Sequence, residues 1–322
     1  MTMRRLNLAL LVIAAVALAV LLRGLDWPAL AETLGMARHH WPLLLIPYAL
    51  TTFLWTLSWR LLLPGAPGTL SLWRLYLLRL AGESLNQLTP TASLGGEPFK
   101  TVRLQAAGVP WQQAATSVII HKAAMVLSLV LYLLIGLALL PAVLPEVPSR
   151  LAWSGWLGTG ALALAGGCFL VVQRASPCTS LLGTLKRIGI CPAFLICRAE
   201  ALASLDATLA GFYRRHPWLA LGSLLLFLLG WAAHAAEVYL IFASLGHGIG
   251  PGTALCLDAL SQMVAALGFM IPASLGVQDG GNLLLALGFR LGATLGAGFG
   301  LLRRFREACW LLLGLLAVTS ER

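Results

Sequence analysis

Two short stretches of the chain concentrate residues able to bind charge. "LTPTASLGGEPFK" begins at Leu88 and "MIPASLGVQDGGN" begins at Met270. Each runs from a Pro through Ala-Ser-Leu-Gly to an acid, Glu97 in the first and Asp279 in the second. Ser93 and Ser274 lie 181 positions apart, as do Gly95 and Gly276. Pro90 and Pro272 interrupt helices, and Gly95, Gly96, Gly276, Gly280 and Gly281 admit left-handed or closely approached backbone. A helix that restarts after such a break presents open N–H groups and the positive end of its dipole, which together attract an anion. Pro98 suits the first turn of the restarted helix, and Asp279 the N-cap of its counterpart. Lys100 and Arg103 in the first copy and Arg290 in the second are expected within a few helical turns of the breaks. The natural guest is an anionic headgroup such as a phosphate. The candidate binding set is Asn86, Ser93, Gly95, Gly96, Glu97, Lys100, Arg103 and Lys122 from the first copy. Ser274, Gly276, Gln278, Asp279, Arg290, Arg303 and Arg304 complete it from the second.

The elements that must position these residues are membrane helices. The chain is 59% hydrophobic and only 11% charged, against about a quarter charged in soluble domains. Apolar stretches of roughly 17 to 25 residues recur, each long enough to cross a bilayer, while the alternating strands of a β-barrel are absent. The reading is an all-α polytopic membrane protein whose 322 residues leave no room for a large soluble catalytic domain. Spans are expected at about 6–22 (uncleaved), 41–63, 112–140 (stopped by Pro141), 151–172, 217–245 and 304–319. Two segments, 71–88 and 252–271, are apolar yet carry Arg74, Arg79, Glu83 and Asn86, or Asp258, Ser261 and Gln262. They are expected as re-entrant or broken-helix hairpins. Residues 173–216 form the longest polar segment, a basic loop. The net charge of +10 is dispersed, which fits lipid headgroups and orientation better than nucleic acid. With both termini in the cytoplasm, only Arg23, Arg38 and Arg150 fall in outer loops, as the positive-inside rule requires. The six cysteines show no metal-binding spacing, and no metal or cofactor is expected.

The duplication extends beyond the two phrases. The chain divides into a first span and outer loop (1–40), a first repeat (41–140), a connecting span with the basic loop (141–216) and a second repeat (217–322). Each repeat reads as a span, an ambiguous helix, a Pro/Gly break, a short helix and a further span. The 181-residue slide sets His121-Lys122 opposite Leu302-Arg303, so each copy has a cation near its final span. The assigned topology makes the copies inverted, a plan used by secondary transporters with substrate sites at the repeat interface. Irregular backbone at membrane depth requires protein or a water-filled cavity around it. The plainer alternative is that Gly and Pro only pack and kink helices.

Other intramembrane ionisable groups are functional candidates because burying them without a partner is costly. His234 and Glu237 share a helix face and read either as a proton-coupling pair or as a neutralised structural pair. Arg303 and Glu307, one turn apart, are expected to pair, leaving Arg304 and Arg306 for lipid phosphates or interfacial snorkelling. Glu83 and Glu97 are expected to pair with Arg79, Lys100 or Lys122.

"GESLNQLTPTASLGGEPFKTVRL" at 82–104, with "PASLGVQDGG" at 272–281, resembles the lysylphosphatidylglycerol synthase transmembrane (flippase-like) family over nearly the whole chain. The resemblance implies a bacterial inner-membrane protein that moves a lipid or lipid-linked headgroup between leaflets. It implies a stand-alone member without the soluble aminoacyltransferase domain. Candidate cargoes are an anionic phospholipid, an aminoacylated lipid, a hopanoid or a polyprenyl-phosphate-linked sugar. In the family's commoner second motif a Gly pair stands where Ala273-Ser274 stand here. The rival reading is an integral-membrane enzyme acting on a lipid-linked, phosphate-bearing substrate. No metal-ligand spacing, nucleophile triad or phosphate loop supports catalysis, so the expectation is a translocase.

Overall fold

The computed structural model describes residues 27–37, 40–68, 70–88, 95–144, 153, 156–161, 163, 164, 166–168, 177–188, 199–268, 271, 274 and 276–320. The expected span 6–22, much of 151–172, Ser93 and Cys191 and Cys197 lie outside them. Among the described residues the structure is helical, with no strand. The helices are α1 Trp27–Ala37, α2 Trp41–Leu61, α3 Leu72–Leu88, α4 Gly96–Ala106, α5 Trp111–Val143 and α6 Pro177–Arg187. They continue as α7 Ala199–Arg215, α8 Pro217–Ser244, α9 Pro251–Leu267, α10 Val277–Gly288 and α11 Ala293–Ser320.

Local sequence explains the boundaries. Pro42, Pro217 and Pro251 open α2, α8 and α9, where a missing N–H costs nothing. Stretches within α2, α5 and α8 are long and apolar enough to cross a membrane. Three expectations need correction. Helix α5 does not stop at Pro141 but runs through it to Val143, because a proline so near the C-terminus disturbs only the last turn. The final span does not begin near residue 304. The break falls at 289–292, around Arg290 and Gly292 with positive φ, and α11 then runs unbroken from Ala293. The polar segment 173–216 is largely helical where described: Leu182 on α6 and Leu205 and Leu209 on α7 are buried, which folds this stretch back onto itself and onto α5.

α2 and α8, the first helices of the segments 41–140 and 217–322, form the most extensive contact. Trp55 drives this pairing: its indole N–H donates to the Phe227 carbonyl at 3.2 Å, over the bare face of Gly230. The Ser58 and Ser223 hydroxyls meet at 2.7 Å, and the Thr51 hydroxyl donates to the Gly230 carbonyl at 3.1 Å. Small and hydroxyl-bearing residues bring helices close in a membrane, where apolar burial alone gives no driving force. The ambiguous helices then cross over: α3 of the first repeat packs on α11 of the second, and α9 of the second on α5 of the first.

Candidate functional site

The first break is built by a backbone-to-backbone contact. α3 ends at Leu88 and α4 begins at Gly96, and the two helices pack as a hairpin. A Cβ on Gly96 would lie 1.9 Å from the Gly82 carbonyl oxygen, so only glycine fits. The Asn86 side-chain oxygen accepts the Gly96 N–H at 2.7 Å, while its amide nitrogen donates to Glu97 at 3.0 Å. Lys100, 1% exposed, passes over Gly82 and donates to Glu83 at 2.7 Å and to Glu97 at 3.3 Å. Lys122 of α5 reaches Glu97 at 3.5 Å. The expected pairing of Glu83 and Glu97 with lysines is therefore present, from two helices rather than one.

The second break differs in detail. α9 ends at Leu267 and α10 starts at Val277, with Ser274 at φ 47 and Gly276 at φ 78 between them. Asp279 does not sit at the N-cap. Gly276 holds that position, and Asp279, at the third residue of α10, accepts the Gly276 N–H at 2.9 Å. Arg304 donates to both oxygens of Asp279, at 2.7 and 2.9 Å, and to Glu307 at 2.7 Å. Thus an acid stands in the first turn of each half-helix, Glu97 or Asp279, complementing the dipole from within. One N–H at each helix start, Gly96 or Gly276, is already bonded to a side chain of the protein.

Two deeper ion pairs link α11 to α8 and α9. Asp258, fully buried, pairs with Arg303, accepts the Tyr132 hydroxyl at 2.9 Å and lies 2.9 Å from Nδ1 of His234. Arg303 also donates to Ser261 at 2.6 Å, and Ser261 donates to Asn282 at 2.6 Å. Arg303 approaches the same His234 Nδ1 at 3.1 Å, but one nitrogen cannot serve both. A carboxylate is the stronger partner, so Nδ1–H donates to Asp258. Arg306 donates from Nε to Glu237 at 2.8 Å and lies 4.0 Å from the Tyr48 ring centre.

These networks surround a cavity of about 310 Å³ shared by both repeats. Glu83, Asn86, Gln87 and Lys122 line it from the first repeat, and His234, Gln262, Ser274, Gln278, Arg306 and Glu307 from the second. Tyr48, Trp55 and Trp231 supply aromatic wall. Of the residues singled out in the sequence, Asn86, Lys122, His234, Ser274 and Gln278 reach the cavity. Gly95, Gly96, Glu97, Lys100, Gly276, Asp279, Glu237, Arg303 and Arg304 stand behind it and hold the lining in place. Arg103 and Arg290 are not brought in. Arg103 is at the C-terminal turn of α4 over the Phe99 ring, and Arg290 is exposed just past the C-terminus of α10. Each is roughly 10 Å or more along its helix from the break, at 1.5 Å per residue.

Two pairings are corrected. Arg303 does not meet Glu307 but Asp258, and Arg304 and Arg306 carry acid partners of their own in Glu307, Asp279 and Glu237. His234 and Glu237 likewise belong to different ion pairs. Gln87 and the aromatic triad escaped the sequence reading, and Gln262 was noted only as a polar residue of an apolar helix, because an amide or Trp among apolar residues gives no sign of the side on which its helix will be wet. Glu83 and Asp258 were visible as acids inside apolar helices, the one signal that could have raised them.

Six of the chain's 12 acids, Glu83, Glu97, Glu237, Asp258, Asp279 and Glu307, gather in these networks, each with a basic partner. A buried charge is tolerated only when so matched. Comparisons with curated proteins and with solved structures return no match. The family model described as "Lysylphosphatidylglycerol synthase TM region" matches residues 7–314. With a helical membrane architecture and a polar cavity between its repeats, the chain belongs to the lysylphosphatidylglycerol synthase transmembrane family.

Proposed function

We propose that this protein moves a lipid, or a lipid-linked headgroup, between the leaflets of the bacterial inner membrane. The observation that carries the reading is the cavity of about 310 Å³ to which both repeats contribute charged side chains. Its volume suits a polar headgroup, and acyl chains stay in the surrounding lipid. Lys122 and Arg306 face it as cations and Glu83 and Glu307 as acids, each already in an ion pair. A phosphate-bearing headgroup competes with Glu97 for Lys122 and with Glu237 for Arg306; Glu97, once displaced, still keeps Lys100. Rocking of one repeat against the other opens the cavity to alternate sides, with both termini in the cytoplasm and the two breaks re-entering from opposite faces. His234, hydrogen-bonded to Asp258, is the proposed proton-coupling residue of that cycle.

The test is leaflet exchange in sealed vesicles containing the purified protein and a fluorescent anionic phospholipid, followed by dithionite quenching. Lys122→Ala and Arg306→Met should slow exchange by tenfold or more while the protein stays folded. Wild-type exchange in both variants would refute the assignment. Turnover of lipid in detergent, with no exchange in vesicles, would favour the enzyme.

A further inference from the structure

A second cavity, of about 480 Å³, lies apart from the central one, where the C-terminal end of α2 meets the starts of α5 and α8 and the side of α7. Its polar lining is Arg215, His216, Gln113, Thr116 and Thr208, and no carboxylate is among its lining residues. Asp206, on the same helix as Arg215, is turned away and accepts the N–H groups of Cys178 and Thr179 at the start of α6. The carbonyls just past the end of α2 are already served: Arg60 donates to Leu63 and Gln113 to Pro64. What remains is the charge of Arg215 and the N-terminal ends of α5 and α8, beside the C-terminal ends of α2 and α7.

Thr116 points to a ligand. Threonines elsewhere in these helices, among them Thr51, Thr56, Thr101 and Thr208, donate to the carbonyl four residues back. Thr116 does not. It is 3% exposed, and its hydroxyl has no hydrogen-bond partner among the described residues. A buried hydroxyl left in this state is costly, and an oxyanion accepting from it removes the cost. Arg215 is exposed and free to swing its fork over the opening, a geometry matched to phosphate oxygens. Leu62 and Phe212 form an apolar wall beside the polar groups.

We infer that this cleft binds a phosphate-type oxyanion through Arg215, His216 and Thr116, at a site separate from the translocation cavity. The oxyanion comes either from a phospholipid headgroup, whose chains lie along Leu62 and Phe212, or from a soluble phosphate ester. This does not rest on the proposed transport activity.

The experiment is native mass spectrometry of the intact chain in detergent, titrated with phosphatidylglycerol, with phosphatidylcholine, and with inorganic phosphate alone. Each cation near the surface contributes about fivefold to anionic-lipid binding. Wild type should prefer phosphatidylglycerol over phosphatidylcholine, and Arg215→Ala with His216→Ala should lower that preference about fivefold or more. Thr116→Val, nearly isosteric, should weaken binding without loss of fold. The same losses should occur in a Lys122→Ala background, which separates this cleft from the central cavity. Phosphate that binds and displaces the lipid assigns the soluble source; lipid binding indifferent to phosphate assigns the headgroup. Unchanged binding in all of these variants, equal affinity for both lipids with no phosphate binding, or losses that vanish without Lys122 would overturn the inference.

Discussion

Replacing Asp258 by Asn tests the energetic logic of the site. Asp258 is 0% and Arg303 1% exposed, and among the described residues no other carboxylate bonds Arg303. Removing one member of such a pair strands the other charge, at a cost of about 3–5 kcal/mol. Arg303→Met should cost less, about 2–3 kcal/mol by the same reasoning, because Asp258 keeps the Tyr132 hydroxyl and His234. Removing both charges together, as Asp258→Asn with Arg303→Met, should cost only about 1–2 kcal/mol, since no charge is stranded and the amide oxygen still accepts from Tyr132. The two effects are therefore strongly non-additive, with a coupling of about 3 kcal/mol or more. Reversible unfolding in mixed micelles, followed by tryptophan fluorescence, measures each variant. Asp258→Asn within about 1 kcal/mol of wild type, or single effects that add to within about 0.5 kcal/mol, would refute the argument. The double variant also separates roles: if it is folded yet fails in leaflet exchange, the pair serves the cycle and not only the fold.

Gly96→Ala should open the α3–α4 hairpin, since its Cβ would meet the Gly82 carbonyl at 1.9 Å; a loss of about 1–3 kcal/mol in the same unfolding assay is expected. Gly276→Ala forces a Cβ onto backbone at φ 78 and should cost about 1–2 kcal/mol, read as a lowered unfolding midpoint. Tyr48→Leu removes the ring 4.0 Å from the Arg306 guanidinium and should cost about 2 kcal/mol while slowing leaflet exchange. Asp206 gives a pH signature. Burial pushes its carboxyl up, but the N–H groups of Thr179 and Cys178 and the Thr179 hydroxyl outweigh this and hold it below the usual carboxylate range. A depressed pKa means the cap is fully present above the ordinary Asp value, near pH 4, and is lost as pH falls through the lower folded value. Hydrogen exchange should show residues 177–187 losing protection under those acidic conditions, and already at pH 7 in Asp206→Ala, by about 1 kcal/mol.

The placement of helices was largely legible in the sequence, because hydropathy and proline act locally. Pro42, Pro217 and Pro251 mark helix starts, and the apolar runs between them are too long to be anything but membrane helices. The Ala-Ser-Leu-Gly phrase shared by both stretches lies between α3, ending at Leu88, and α4, beginning at Gly96, and again between α9 and α10. Helix ends beyond residue 288 were misread: Arg290 and Gly292, not the arginine cluster, interrupt the chain, and charge alone does not stop a helix.

From the sequence alone came a helical membrane scaffold, with acids and bases inside apolar helices and an Ala-Ser-Leu-Gly phrase at two positions 181 residues apart. Which base meets which acid was decided only in three dimensions. Glu307 lies one turn from Arg303, yet α9 brings Asp258 against that arginine while Asp279 and Glu307 both converge on Arg304. Along a helix the neighbours three and four residues away are always on offer, so spacing cannot rank them. Burial does, because a charge excluded from water takes the partner that is buried with it.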